Sequence, residues 1–262
     1  MNKEIKIQSL RAKLKSGEVS IGSWMQISNS SIAEIMGDSN FEWVAVDLEH
    51  GSFSNEMLPD LFRALELGNT LPLVRLAEGK PKDCKQALDA GAAGVIIPMV
   101  ESKGQLIDIV QSCKWPPSGI RGVGFSRANL FGKYFIDYME FEAQNPIIIA
   151  MIENINAVNQ LEDILDVEGL DAILIGPYDL SASMEITGMF DNPEFNKALD
   201  QIKKIAKKKN IPVGLHIVEP DIELLKKRID EGYRFVAFSI DAVLLRSSIN
   251  NSISKYKNLW KM

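Results

Sequence analysis

The chain carries two histidines, His50 and His216, so imidazole chemistry has two possible seats. His50 stands three residues after Asp47 in VDLEHG, where an apolar run ends and the chain turns. A carboxylate that orients a histidine and holds its tautomer makes a general base. The plainer reading is a turn histidine with Asp47 as a cap. Glu153 in MIEN and Asp179 in GPYD each follow an apolar run, with no cysteine or histidine beside them. Two such carboxylates suit a hard cation that keeps positions open for water and substrate. Alternatively, each acid merely starts a helix, where negative charge is favoured. Arg75 ends LPLVR, where burial is expected. A buried guanidinium needs an anion: a structural carboxylate such as Glu49, or a substrate carboxylate or enolate.

Positioning these groups takes a scaffold, and the hydrophobic pattern predicts one. Eight short apolar runs recur, at 19–25, 43–48, 71–76, 94–99, 147–152, 171–176, 211–217 and 234–240. Between them lie stretches with i, i+3, i+4 apolar spacing, most closed by glycine. Runs apolar throughout indicate a parallel sheet buried on both faces. Eight such βα units in about 250 residues predict an α/β fold, the (β/α)8 TIM barrel. A doubly wound sheet would open on a glycine-rich turn, and GSWMQISNSS has no GxGxxG. The barrel puts its active site at the C-terminal strand ends. Those ends carry Trp24, Asp47, Glu49, His50, Arg75, Pro98, Glu153, Gly176, Pro177, Asp179, His216, Ser239 and Asp241. Residues 100–146 break the rhythm with a helix and a long Pro/Gly-marked loop on the strand-4 side, a length that is more often functional than accidental. No linker or repeat interrupts the chain, so one domain over 1–262 is expected.

Composition removes several function classes. Lys plus Arg total 29 against 35 Asp plus Glu, a net charge of −6 with no basic block. That balance argues against nucleic acid and anionic membrane as partners. No run approaches the ~18 apolar residues of a membrane span, and MNKEIKIQSL lacks a signal-peptide core. Cys84 and Cys113 are too far apart for a CxxC motif, which fits a reducing cytoplasm. No lysine lies in or at the end of the fifth, sixth or seventh run, so a Schiff base lacks its nucleophile. The turns HIVEPD and SIDAVL lack glycine-rich phosphate cradles, and there is no G-x-S-x-G elbow or P-loop.

In order and spacing, VDLEHGSFS, LPLVRL, IPMVES, GIRGVGFSRA, MIENINAVNQLEDI and IGPYDLSASM resemble the HpcH/HpaI aldolase/citrate lyase family, from about Gly22 to Asp241. The nearest likeness is to its metal-dependent branch, which cleaves 2-keto-4-hydroxy acids to pyruvate and an aldehyde. The resemblance implies a barrel of the phosphoenolpyruvate/pyruvate type in a homo-oligomer, a hexamer or trimer of dimers, with the C-terminal helix swapped onto a neighbour. It implies a divalent cation (Mg2+, Mn2+ or Co2+) on Glu153 and Asp179, chelated by the keto acid. Arg75 then faces the pyruvate enolate and the His50–Asp47 pair handles the proton. Trp24, Gly176 and Tyr178 line the substrate, and Asp89 reaches a neighbouring subunit's site. Three positions depart from the pattern: Met151 replaces a glutamine, Tyr178 an alanine that leaves more room, and Glu185 a glycine. His216 matches no catalytic position of the family. It either bonds a neighbouring loop or meets the hydroxyls or distal carboxylate of the aldehyde half. Two other activities remain in view: a citramalyl- or malyl-CoA-type lyase, which needs a second arginine and a basic groove, and a non-catalytic keto-acid or sugar-acid binder.

Overall fold

The computed structural model describes residues 2–260. The expected unit of 1–262 therefore includes Met1, Lys261 and Met262, which lie outside the described residues. Each apolar run forms a strand: β1 (Ser20–Met25), β2 (Trp43–Asp47), β3 (Leu71–Arg75), β4 (Gly94–Ile97), β5 (Ile147–Ile152), β6 (Ala172–Ile175), β7 (Val213–Ile217) and β8 (Phe235–Ile240). They close in sequence order into a parallel barrel, with β8 pairing back onto β1. Around it run α1 (Lys3–Lys15), α2 (Ser30–Asp38), α3 (Leu58–Leu67), α4 (Pro81–Asp89), α5 (Lys103–Cys113) and α6 (Phe135–Glu140). The second half adds α7 (Ile155–Asn159), α8 (Leu161–Ile164), α9 (Pro177–Ser183), α10 (Pro193–Lys209), α11 (Ile222–Asp230) and α12 (Asp241–Trp260). This is the TIM barrel that the eight runs predict. No helix among the described residues is long and apolar enough to cross a membrane.

The strands are apolar on both faces because each face has its own packing partner. Val44, Val46, Val74, Ile148, Ala150 and Ile173 pack outward in one cluster with the helices. Trp43, Ala45, Leu73, Ile149, Met151, Leu174 and Phe235 fill the barrel interior. Trp43 stacks on Phe235 with centroids 4.2 Å apart. Gly22 makes room for that indole, since a Cβ there would lie 2.1 Å from the ring.

The hydrophobic pattern did not single out α1, yet Ile7, Leu10 and Leu14 pack beneath Trp43, Leu71 and Ile147, at the strand starts. Burying three such side chains contributes about 1.5–3 kcal/mol each, so α1 is the floor of the barrel. The 114–146 segment lies at this same end. Arg127 donates to the Ala90 carbonyl at 3.0 Å, and Lys3 pairs with Glu142 at 3.6 Å. The loop that looked functional in sequence follows a helix rather than a strand. It is therefore on the far side of its own barrel from the strand C-termini.

Candidate active site

Side chains alternate along a strand, so the inward rows continue past the apolar layers. Beyond Ala45 comes Asp47, beyond Leu73 Arg75, beyond Met151 Glu153, beyond Leu174 Gly176, and beyond Gly214 His216. This parity brings most of the expected groups to one rim. Met151 is buried in the layer directly below Glu153. A thioether thus forms the floor where the family pattern has an amide.

Arg75 is the hub. Its Nε donates to Asp47 Oδ1 at 2.8 Å and its Nη2 to Oδ2 at 2.7 Å, a buried bidentate pair. Nη1 lies 2.8 Å from Glu49 Oε2, an ion pair without hydrogen-bond alignment. The guanidinium carbon also stands 5.5 Å over the Trp24 ring. Asp47 accepts further bonds from Gln26 Nε2 at 2.8 Å and from the main-chain N–H groups of Glu49 and His50. Burial would raise the Asp47 carboxyl, but Arg75, Gln26 and the His50 N–H hold it below its usual value. Asp47 thus grips the His50 backbone, and its bonds do not include the His50 ring. The pair expected to hold the imidazole tautomer is instead an arginine clamp, and His50 is exposed beside it.

Replacing Arg75 by lysine tests this clamp. One of the two charge-assisted bonds is lost, which should cost about 1.5–3 kcal/mol in denaturant unfolding. Turnover should fall as well, because a point charge cannot reproduce the planar fork. A stability loss with turnover intact would leave Arg75 a purely structural ion pair.

Glu153 is 2% exposed, and its Oε2 accepts from the Met99 N–H at 3.0 Å. Met99 holds a left-handed φ of 49°, and Gln105 bonds both its carbonyl and the Glu101 N–H. Nothing in the sequence marks Met99 for this role. Gly176 completes the cradle, since a Cβ there would lie 2.4 Å from Glu153 Oε1. Burial, with the charges of Glu49 and Asp179, pushes Glu153 up to about 7 against the pull of the Met99 amide. Burial likewise raises Glu49, with Asp47 and Asp179 adding to it and Arg75 and His50 opposing. Asp179 itself is exposed in the first turn of α9.

No three His, Cys, Asp or Glu side chains form a ready-made metal cage among the described residues. The donor set nevertheless fits a hard cation. Asp47, Glu49 and Glu153 face one arginine, and the Asp179 charge acts on Glu49 and Glu153; their donors are all oxygen, and a cation on two of them keeps open positions.

The other expected residues fall in three places. Trp24 is buried, with its ring on both Arg75 and His216. Tyr178 is 56% exposed and packs edge-on against Phe190 at 5.0 Å. Asp89 ends α4 at the floor end, where Arg121 and Lys85 act on it, and it does not join this chain's own rim. Glu185 has φ 61°, which explains a usual glycine there. Asp241 is a clamp instead: it accepts from the N–H groups of Gln26 and Ile27 at 2.9 and 2.8 Å, holding β8 to the turn after β1. Gln26 belongs to no motif in the sequence, although the inward parity of Gly22 and Trp24 points to it.

Fold and rim define a TIM-barrel enzyme with its polar groups at the C-terminal strand ends. Residues 20–248 match the HpcH/HpaI aldolase/citrate lyase family, and the chain belongs to that family. A hydroxypyruvate/pyruvate aldolase of Roseobacter denitrificans is 32% identical over 253 residues, covering 96% of this chain and 98% of that protein. A 4-hydroxy-2-oxo-heptane-1,7-dioate aldolase of Escherichia coli is 34% identical over 240 residues, with 90% of each chain covered. The crystal structure of a family member from Burkholderia cenocepacia superposes with a TM-score of 0.89 at 26% identity, over 95% of this chain and 99% of that one. The chain is an aldolase, a carbon–carbon lyase; the acyl-CoA lyase and binding-protein alternatives fit these relatives less well.

Proposed function

We propose that this aldolase reversibly cleaves a 2-keto-4-hydroxy acid to pyruvate and an aldehyde at the rim around Glu153, with a divalent cation held by Glu153 and Asp179. The observation that carries this reading is Glu153: a nearly buried carboxylate cradled by Gly176 and Met99 and crowded by two further acids. Bound there, a divalent ion supplies Lewis acidity to the keto oxygen. The chain's own residues do the rest. His50, exposed at the β2 turn, takes the proton from the C4 hydroxyl as the C3–C4 bond breaks. The bond's electron pair passes toward the keto group, and Arg75, fixed by Asp47, is preorganised to stabilise the charge that gathers there. Protonation at C3, by the proton held on His50 or by one from solvent as His50 gives its own up, then completes pyruvate and restores the base. A screen for pyruvate release over 2-keto-3-deoxy sugar acids and 2-keto-4-hydroxy diacids tests the reading. Absence of pyruvate from every member would sink it.

The Glu153 shift makes cation binding pH-dependent. Its pKa of about 7 lies above the ordinary glutamate value, so ionisation costs the cation-free fold stability as pH rises toward and through 7. Below that value a proton competes with the metal. The apparent Kd for Mn2+ should therefore rise about tenfold per pH unit from 7 down to 5. Calorimetric titration that found the affinity flat over this range would contradict the ligand assignment.

An assembly completes the proposal. Leu245, Ile249 and Ile253 recur at i, i+4, i+8 along α12 and are 51%, 53% and 49% exposed. This stripe supports a homo-oligomer, a hexamer or trimer of dimers, with the last helix on a neighbouring copy. Asp89 would then serve a neighbour's rim from the floor end of its own barrel. Buried free thiols at Cys84 and Cys113 suit a reducing cytoplasm.

A further inference from the structure

Asp47 is the fully buried anion on which the arginine clamp turns, and its two oxygens are held by different parts of the barrel. Oδ1 accepts from Arg75 Nε at 2.8 Å and from the N–H groups of Glu49 and His50 at 3.1 and 3.2 Å, both in its own turn. Oδ2 accepts from Arg75 Nη2 at 2.7 Å and from Gln26 Nε2 at 2.8 Å. The carboxyl torsion of an aspartate is broad. Donors from the turn on Oδ1 alone would leave Oδ2 free to swing, and the guanidinium bonded to it would swing too. Among the described residues, Gln26 is the donor to Oδ2 other than Arg75 itself.

Gln26 is in turn fixed from its far side. It follows β1 directly, and its N–H donates to Asp241 Oδ1 at 2.9 Å while the Ile27 N–H donates to Oδ2 at 2.8 Å. Asp241, 5% exposed, stands where β8 ends and α12 begins. Hydrogen bonds of 2.7–2.9 Å therefore link Asp241, Gln26, Asp47 and Arg75 in one belt along the rim. The belt crosses β8, β1, β2 and β3, and so spans the seam where the barrel closes. A carboxylate can only accept, so the amide nitrogen of Gln26 must face Asp47. The guanidinium is planar, and fixing Nε and Nη2 on Asp47 fixes the direction of Nη1 as well.

We infer that Gln26 is a positioning residue of the lyase reaction: it pins Asp47 Oδ2 and so sets the plane in which the Arg75 guanidinium meets the charge that gathers on the keto acid. This rests on the role given to Arg75 above and extends it one strand back, to the end of β1.

The test uses the 2-keto-3-deoxy sugar acid or 2-keto-4-hydroxy diacid that the wild-type enzyme cleaves fastest, with saturating Mn2+. Gln26→Met keeps the length of the side chain and loses the donor, whereas Gln26→Asn keeps the amide and loses its reach. Both should lower kcat for pyruvate release about tenfold, the low end for a hydrogen bond to a buried charge. KM should change by less than about twofold, because Arg75 acts on charge that develops only as the bond breaks. A side chain that merely filled space would be replaced well by methionine and poorly by asparagine. In an Arg75→Lys enzyme, adding Gln26→Met should cost less than about threefold more, since no fork remains to be aimed. If Gln26→Met does not fold, the same measurements on Gln26→Asn decide. Wild-type kcat in the variant, a loss carried by KM, or the full tenfold loss repeated in the Arg75→Lys enzyme would each overturn the inference. An Arg75→Lys enzyme with wild-type turnover would remove the Arg75 role and this inference with it. A wild type that releases no pyruvate from any substrate would overturn the aldolase reading, whereas an active wild type matched by Gln26→Met overturns this inference alone.

Discussion

Replacing Glu153 by glutamine removes metal-dependent cleavage. The expected loss in kcat/KM is about 10³-fold or more, since a bound cation supplies several kcal/mol of stabilisation and each ~1.4 kcal/mol is a factor of ten. The change is nearly isosteric and removes a carboxylate that the fold raises to about 7. The variant should therefore unfold at no lower temperature than the wild type when no cation is present. The separation matters: activity falls while cation-free stability holds or improves. An active Glu153→Gln enzyme after dialysis against chelator would end the case for Glu153 as a ligand. So would a variant that loses activity only because it unfolds.

The second large effect belongs to His50. His50→Ala should lower kcat for aldol cleavage by about 10²–10⁴-fold, the range for a lost general base. Its ring is exposed and Asp47 grips only its backbone N–H, which alanine keeps. Stability should therefore stay within about 0.5 kcal/mol of wild type. Pyruvate inhibition of the variant should also persist, because the clamp around Arg75 is untouched. An unchanged kcat would reduce His50 to a turn residue.

Particular residues show how far the sequence could be read. The eight strands were legible because two-sided burial makes each one apolar throughout, and the count of βα units then sets the architecture. Glu153, Gly176, Arg75 and His216 were legible because strand parity and the barrel rule place them together. The role of Asp47 was not. Spacing alone cannot tell a carboxylate that orients a ring three residues on from one that grips an arginine on the next strand, 28 positions away. Register decides that, and Asp47 is paired directly with Arg75 across β2 and β3. Met99 stayed hidden because its contribution is a main-chain amide aimed by a left-handed backbone, to which the side chain gives no clue. The floor helix α1 was faint for another reason. A few apolar residues among lysines and polar groups look like a solvated helix until the open end of a barrel is there to receive Ile7, Leu10 and Leu14.

Pyruvate formation at the Glu153 rim with a divalent cation is the step on which everything else depends. The most direct measurement is the rate of pyruvate release from a 2-keto-3-deoxy sugar acid under three conditions: as prepared, after exhaustive chelation, and after Mn2+ or Mg2+ is restored. Release should be lost on chelation and recovered on adding the metal to the wild type, with no recovery in Glu153→Gln. Pyruvate released at an undiminished rate by the chelated wild-type enzyme would contradict it.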